Sequence, residues 1–311
     1  MRDTVLTQAE RIASDYLSEP IRSSYPIIGK GSVNLVCVVE TESRKIVVRM
    51  NDADTYPSYV KEKWCMEQAA AFGIPGPKVL SIGLAGEIAY MIMDFVLGEN
   101  GLDSSMPKTD IWRQLGKYAK LIHSFPIMGY GQELIDPEHG EFYCAPHPGS
   151  DGSWLGYIQY NINSLTEDDR LIELGVYTQT QSHQLREIFK QLKHQNYRFG
   201  LTHQDLSLKN TIVDQTGRVN LLDWGNAEVR PVPHGDLNGL MQAQIVDGHP
   251  NNEEIEAFLD GYGLSRDDLN GTKPVLLLKA FDTLRWAIDK CPDRVESYAT
   301  FAKQVVNLMF D

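Results

Sequence analysis

Two polar motifs near the middle of the chain carry the residue types that phosphoryl transfer needs. His203 is followed by Asp205, and Asn210 comes five residues after that aspartate. In the pattern H-x-D-x-x-x-x-N the aspartate accepts the proton of an attacking hydroxyl and the asparagine reaches a magnesium ion. One short loop can present both groups a few ångström apart. The spacing predicts Asp205 as the catalytic carboxylate and Asn210 as a metal ligand.

A second acidic residue stands where the other metal ligand is expected. Asp223 follows Asn210 by thirteen residues and ends the apolar run Leu221-Leu222. Segments 211–213 and 219–222 have strand character and flank a Gln-Thr-Gly turn. A hairpin there would bring Asn210 close to Asp223, so Asp223 is the second predicted magnesium ligand.

A second partial copy of the motif is rejected as a catalytic loop. His234 and Asp236 begin the same pattern, but the position five residues after Asp236 is Met241, which is no magnesium ligand. No apolar strand ending in an aspartate follows it.

The first hundred residues read as a small lobe with an antiparallel sheet and one main helix. A helix is predicted over 7–17, with a Thr7-x-x-Glu10 capping box. The main helix is predicted over 59–72 and ends at Gly73. A hinge is predicted near 94–98, so the N-terminal lobe is 1–97. Its predicted strands are 25–28, 33–39, 45–50, 78–84 and 87–96.

The rest of the chain, 98–311, reads as a larger and mostly helical lobe. Two stretches interrupt the helical pattern: an irregular Gly-, Pro- and acid-rich stretch at 126–153, and short strands around polar loops at 199–227. The predicted helices are 110–124, 182–194, 253–262, 273–290 and 293–309.

Small and charged residues in the first lobe supply the parts of a phosphate site. Gly29, Gly31 and Ser32 lie between two predicted strands, where backbone amides could approach phosphates. Arg49 is a single cation in an apolar strand, the position where a kinase keeps the lysine that holds the α- and β-phosphates. Glu62, near the start of the main helix, is the expected ion-pair partner of Arg49.

The order and spacing of these motifs resemble the aminoglycoside phosphotransferase family, relatives of choline kinases. The resemblance spans about two thirds of the chain and implies an α+β, bilobal, protein-kinase-like fold. It also implies that Asp94 and Val96 offer backbone atoms to a purine, that ATP or GTP is the phosphoryl donor, and that Mg²⁺ is required. The residues that carry it are Gly29-x-Gly31-Ser32, Val48-Arg49, Glu62, Gly73-Ile74-Pro75-x-Pro77, Met93-Asp94-Phe95-Val96-x-Gly98, His203-x-Asp205-x-x-x-x-Asn210, Asp223-Trp224 and Asp236.

Two positions depart from the usual family pattern. Gln204 stands where the family usually has glycine, and Arg49 stands where many members have lysine. Arginine preserves the positive charge but presents a planar fork. Hygromycin-type members are similar here, because they also carry an arginine followed by x-Asn, as in Arg49-Met50-Asn51.

Composition and charge narrow the class of partner. The 311 residues are 42% hydrophobic and 23% charged, ordinary values for a globular protein, and the net charge is −13. Residues 1–98 carry ten Lys/Arg and twelve Asp/Glu, which leaves −11 for residues 99–311. This balance argues against nucleic acid and anionic membranes as partners. It favours a small cationic acceptor such as an aminoglycoside.

The same sequence predicts a cytoplasmic protein. No stretch approaches the roughly 18 apolar residues of a membrane span, and the N-terminus does not resemble a signal peptide. The four cysteines are far apart, which indicates neither a zinc site nor a disulfide framework. The oligomeric state is left open.

Other acceptors and one other class of function remain open. A metabolic kinase of the same fold would act on choline, ethanolamine, a sugar or an amino alcohol. Choline would require an aromatic cage, for which Trp154, Tyr157, Tyr160 and Trp286 are candidates. A nucleotide-binding pseudokinase is the other class, although Asp205 and the two predicted metal ligands are intact. A protein substrate is not indicated, because no A-P-E segment follows Asp223.

Overall fold

The computed structural model describes residues 2–27 and 35–310. An antiparallel sheet dominates the N-terminal region and helices dominate the later region, so the α+β class is confirmed. The strands are β1 (Ser23–Pro26), β2 (Leu35–Glu40), β3 (Lys45–Asp52), β4 (Val79–Ala85), β5 (Ile88–Asp94), β6 (Gly98–Asn100), β7 (Met128–Gly129), β8 (Glu133–Asp136), β9 (Glu141–Tyr143), β10 (Phe199–Thr202), β11 (Thr211–Asp214), β12 (Val219–Leu221) and β13 (Glu228–Pro231). The helices are α1 (Arg2–Tyr16), α2 (Tyr56–Ala71), α3 (Lys108–Ile122), α4 (Trp154–Asn163), α5 (Arg170–Glu173), α6 (Gln179–Lys193), α7 (His234–Asp247), α8 (Asn252–Tyr262), α9 (Arg266–Gly271), α10 (Lys273–Lys290) and α11 (Val295–Phe310).

Five strands form the N-terminal sheet in the order β1-β2-β3-β5-β4, all antiparallel. β3 lies at the centre because its β-branched residues are buried between two neighbours: Val48 pairs with Cys37 of β2 and with Ile92 of β5. Helix α1 packs its buried Ala9, Ile12 and Ala13 against the same core. The sheet therefore holds β3 rigidly, and β3 carries Arg49.

Helix α1 begins earlier than predicted. Because it starts at Arg2, Thr7 lies inside the helix, and the predicted capping box at Thr7 and Glu10 is wrong. The carboxylate of Glu10 instead accepts a hydrogen bond from the Ser24 hydroxyl at 2.5 Å, which ties α1 to β1.

A small three-stranded sheet joins residues far apart in the sequence. β11 pairs with β12 as the predicted hairpin and with β6 on its other edge. Asn100 of β6 reinforces this sheet, since its side-chain amide donates to the backbone oxygens of Lys209 at 2.8 Å and Thr211 at 3.2 Å.

The chain divides into two compact units. One comprises Met1–Ile111 with Ser207–Ala227, and the other comprises Trp112–Leu206 with Glu228–Asp311. The β6–β11–β12 sheet explains why 207–227 groups with the N-terminal part of the chain. The predicted division of the chain into two lobes at 97/98 stays a prediction.

The second unit is built around α10, whose residues Val275–Leu278, Ala280, Phe281 and Leu284 are buried. The predicted helix 273–290 has the bounds of α10, and the other predicted helices correspond to α3, α6, α8 and α11 within a few residues. Helices α4, α5, α7 and α9 were not predicted. α7 buries Asp236 and Asn238 together with apolar residues, so its sequence lacks the amphipathic period of a surface helix.

Within residues 2–27 and 35–310, no helix combines the length and the apolar character that crossing a membrane requires.

Candidate active site

Arg49 is the centre of a buried charge cluster in the first unit. Its guanidinium forms an ion pair with Glu62 of α2, as predicted, and its second terminal nitrogen lies 3.7 Å from the Asp223 carboxylate. The Arg49 side chain is 10% exposed and that of Glu62 is 2% exposed, whereas that of Asp223 is 52% exposed. Burial would lower the pKa of Arg49, but the Glu62 and Asp223 carboxylates outweigh it and raise that pKa. Arg49 is thus a permanent cation beside an accessible carboxylate.

The hairpin brings Asn210 and Asp223 to the same end of the small sheet. The Leu222 N–H donates to the Asn210 carbonyl at 2.9 Å, which places residues 210 and 222 opposite each other. Asp223 follows directly and has a left-handed backbone with φ of 60°. Such strained conformations in residues other than glycine concentrate at functional sites. Both predicted metal ligands therefore lie in the unit that also contains Arg49.

The donor set of this end suits magnesium. Mg²⁺ prefers hard oxygen ligands and is commonly held by one or two carboxylates together with substrate phosphates and water. Asp223 supplies an exposed carboxylate and Asn210 supplies an amide oxygen. In the described part of the chain no group of three or more His, Cys, Asp or Glu side chains could hold a metal by itself. An ion at Asp223 and Asn210 would complete its coordination with substrate or water oxygens.

Lys61 is a buried residue of this site that sequence reasoning missed. It precedes Glu62 on α2, and its ammonium donates to the carbonyl oxygens of Gly225 at 3.0 Å and Ala227 at 2.9 Å. These carbonyls belong to the loop after Asp223. Helix α2 therefore fixes Arg49 through Glu62 and the loop after Asp223 through Lys61. The only sequence signal is an unexpected lysine on a buried helix face.

Replacing Lys61 with methionine is expected to loosen the Asp223 loop. Each buried carbonyl left without a donor costs about 1–3 kcal/mol, so the free energy of unfolding should fall by that order. The Mg²⁺ concentration giving half-maximal nucleotide turnover should rise, because Asp223 would be held less firmly. The free energy of unfolding and the half-maximal Mg²⁺ concentration are both compared with those of Lys63→Met. This control removes a partly exposed lysine of the same helix that pairs with Glu67. Equal effects of the two variants would show that Lys61 does not position the loop.

Asp205 lies in the second unit, on a loop whose backbone is held by buried groups. The Asp205 N–H is 3.3 Å from Nδ1 of His203, and the His203 side chain is fully buried. The buried imidazole of His203 thus supports the backbone of the loop. Gln204, between them, has φ of 64°, the left-handed region that glycine adopts without strain. Its side chain stabilises this conformation, since its amide donates to the Thr202 hydroxyl at 2.9 Å.

The Asp236 side chain of α7 holds the backbone of this loop by hydrogen bonds. Its carboxylate accepts the N–H of Gln204 at 2.7 Å and that of His203 at 3.3 Å, as well as Nε2–H of His123 at 2.9 Å. Nδ1 of His123 is 2.7 Å from the Tyr262 hydroxyl. Burial would raise the pKa of Asp236, but the hydrogen bond and charge of His123, with His203, outweigh it and lower that pKa. Asp236, from the motif rejected as a catalytic loop, thus stabilises the backbone of the loop that carries Asp205.

Folding lowers the pKa of Asp236, so the contribution of this side chain to the free energy of unfolding decreases at acid pH. The contribution is complete above the unfolded value of about 3.9 and is lost as pH falls through the folded value. Asp236→Asn should lower the free energy of unfolding by about 1–3 kcal/mol at neutral pH, and the difference from wild type should shrink below about pH 4. Urea unfolding at a series of pH values from 7 to 3 measures this difference in the free energy of unfolding. The exposed Asp247 of the same helix serves as control, and an equal loss in Asp247→Asn would contradict the assignment.

The remaining predicted nucleotide contacts have different outcomes. Asp94 ends β5, and its N–H donates to the Lys78 carbonyl at 2.9 Å. Val96 lies two residues later, and its N–H and C=O form no hydrogen bond to a described residue, so its purine contact stays a prediction. Gly29, Gly31 and Ser32 lie outside the described residues, so their role stays a prediction.

Comparison with known proteins decides the family. The model of the phosphotransferase enzyme family matches residues 24–274. The chain belongs to this family. The predicted resemblance is therefore confirmed, and the protein is a phosphotransferase. A comparison with curated proteins finds no match.

The similarity of this phosphotransferase to solved structures extends over nearly the whole chain. The crystal structure of aminoglycoside phosphotransferase APH(4)-Ia has a TM-score of 0.69 and 17% identity, covering 97% of this chain and 98% of that one. Spectinomycin phosphotransferase APH(9)-Ia, with ADP and spectinomycin, has a TM-score of 0.60 and 17% identity over 98% and 97%. A candidate fructosamine-3-kinase from Haemophilus somnus 129PT has a TM-score of 0.63 and 12% identity over 100% and 99%. At these identities the likeness establishes the kinase-like fold.

Proposed function

We propose that this phosphotransferase transfers the γ-phosphoryl group of ATP or GTP to a hydroxyl of a small molecule. The observation that carries the proposal is the buried Arg49, which is paired with Glu62 and lies 3.7 Å from Asp223. A cation fixed beside a metal-ligating carboxylate is the arrangement that neutralises nucleotide phosphates during transfer.

Five of the predicted residues have a part in this reaction. Asp205 orients the acceptor hydroxyl and takes its proton as the new O–P bond forms and the bond between the γ-phosphorus and its bridging oxygen breaks. Arg49 stabilises the negative charge on the phosphates. Asn210 and Asp223 would hold Mg²⁺, which supplies further charge neutralisation when bound. The backbone groups of Val96, which bond to none of the described residues, are suited to hydrogen-bond the purine.

Two acceptor classes fit this chemistry. An aminoglycoside is favoured by the −11 charge of residues 99–311 and by neighbours that include aminoglycoside phosphotransferases, one with spectinomycin bound. A metabolic hydroxyl compound is favoured by a different observation, the presence of Arg230 and Lys279 on the side of the second unit that carries Gln204. A polycation gains nothing from cations at that position.

A coupled nucleotide-release assay tests the proposed function. Wild type and Asp205→Asn are assayed with Mg²⁺ and either ATP or GTP, and the acceptors are hygromycin B, spectinomycin, choline, ethanolamine and fructose. Turnover on one class that is lost in Asp205→Asn supports the proposal. Nucleotide binding without turnover on any acceptor would favour the pseudokinase alternative.

A further inference from the structure

Helix α10 presents two charged residues, Lys279 and Asp282, one turn apart on the same face. Both are partly buried. The Lys279 ammonium donates to the Gln204 side-chain oxygen at 3.3 Å, which places it beside the loop that carries Asp205. Among the described residues neither side chain has an oppositely charged group within 4.0 Å. The second unit thus holds a cation and an anion without ion-pair partners next to its catalytic loop.

Arg230 of β13 completes this patch and already has its own partners. Its guanidinium pairs with Glu228 at 2.9 Å, donates to the Tyr130 hydroxyl at 2.6 Å, and lies 5.2 Å and 5.5 Å from the ring centroids of Tyr130 and Tyr157. The two aromatic rings that could attract a ligand cation are therefore occupied by a cation of the chain itself.

The aromatic residues suggested for a choline cage do not form one. Trp154 is 7% exposed and stacks on Tyr157 at 5.7 Å, Tyr160 packs edge-on against His147, and Trp286 is 50% exposed on α10. With Arg230 over Tyr157, a quaternary ammonium finds no open cage among these described residues.

Lys279 and Asp282 each have a hydrogen bond to a neutral side chain, that of Gln204 for Lys279 and the Tyr157 hydroxyl for Asp282. Burial lowers the pKa of Lys279 and raises the pKa of Asp282, so each is shifted toward its neutral form. The groups that face Lys279 are Glu228, Arg230 and Asp236. Those that face Asp282 are Arg230, Tyr157, Arg285 and His147. A ligand that brings one charge of each sign would favour the ionised form of both side chains.

We infer that the acceptor is zwitterionic: a hydroxyl compound with an anionic group that Lys279 binds and an ammonium group that Asp282 binds. This inference rests on the proposed hydroxyl kinase and chooses among its acceptors. The patch of Glu228, Arg230, Lys279 and Asp282 carries two charges of each sign, which matches a ligand without net charge better than it matches a polycation.

A set of open-chain six-carbon polyols separates the charge classes. D-glucitol is neutral, D-gluconate is anionic, 1-amino-1-deoxy-D-glucitol is cationic, and 2-amino-2-deoxy-D-gluconate is zwitterionic; hygromycin B is added as a polycation. Binding to the full chain with AMP-PNP and Mg²⁺ is measured by calorimetry, where no transfer occurs. The zwitterion is expected to bind at least about tenfold more tightly than the other compounds, because each charged contact contributes about one factor of ten or more. Equal or tighter binding of the cationic polyol or of hygromycin B overturns the inference, as does undetectable binding of the zwitterion.

Charge-removing variants identify the two contacts. Lys279→Met should weaken binding of the zwitterion and of gluconate about tenfold and leave binding of glucitol unchanged. Asp282→Asn should weaken binding of the zwitterion and of the cationic polyol. The controls Lys290→Met and Asp289→Asn lie on exposed positions of the same helix. Equal weakening of all compounds in Lys279→Met would mean that this lysine only supports the loop, which contradicts the inference. Transfer from ATP with the same compounds tests the proposed function separately, because binding is measured without turnover.

Discussion

Replacing Asp205 with asparagine is expected to lower kcat for phosphoryl transfer by about a thousandfold, the usual contribution of a positioned proton acceptor. The substitution removes the basic oxygen and keeps the size of the side chain. The Asp236 contacts to the backbone of His203 and Gln204 do not involve the Asp205 side chain, so the loop should keep its conformation. Nucleotide affinity should be unchanged, since Arg49 and Asp223 belong to the other unit.

Rate and affinity are measured separately to test this prediction. Single-turnover transfer gives the chemical step, and calorimetry with AMP-PNP gives nucleotide affinity. Asp267→Asn, at an exposed position on α9, is the matched control and should behave as wild type. A kcat within tenfold of wild type in Asp205→Asn would remove this residue from the reaction.

Replacing Arg49 with methionine is expected to reduce both stability and nucleotide affinity. The substitution leaves Glu62 buried, at 2% exposure, without its cation. Breaking one side of a buried ion pair costs about 3–5 kcal/mol, which chemical denaturation would detect as a lower free energy of unfolding. Nucleotide binding should weaken at least about tenfold, because a charge-assisted contact to phosphate is lost.

A double variant separates these two effects. Arg49→Met with Glu62→Met removes both charges, so much of the stability should return while nucleotide affinity stays low. Arg49→Lys should keep more affinity than Arg49→Met, although a lysine cannot present the planar fork that reaches both Glu62 and Asp223. Wild-type nucleotide affinity in Arg49→Met would show that Arg49 has only a structural role.

The parts of the fold that sequence predicted are those determined by local patterns. β-branched runs separated by polar turns predicted the N-terminal sheet, and the Gln-Thr-Gly turn predicted the β11–β12 hairpin. The pairing of Arg49 with Glu62 was also predictable, because the two residues stand at the positions of the lysine and glutamate that pair in kinases. Helix α7 was missed because buried polar residues such as Asp236 obscure its hydrophobic period.

The missed site residues all depend on contacts between distant segments. Lys61 meets carbonyl groups more than 160 residues later in the chain. The helix of Lys279 and Asp282 was predicted with its bounds, yet its periodicity does not reveal that one face meets Gln204 and Arg230. The net charge of −11 over residues 99–311 was also a poor guide to the site. Asp169, for example, is buried in an ion pair with Arg285 at 2.6 Å.

The adjacency of Lys61 and Glu62 on α2 limits how the length of this protein can vary. Consecutive helical side chains point about 100° apart, so one helix reaches β3 with one residue and the 225–227 loop with the next. Adding or removing a single residue inside Tyr56–Ala71 would rotate one of these contacts away from its partner. The turn at Gly86 has open space around it, and insertions there leave both contacts intact. Changes in chain length should therefore accumulate between β4 and β5, while α2 keeps its number of residues.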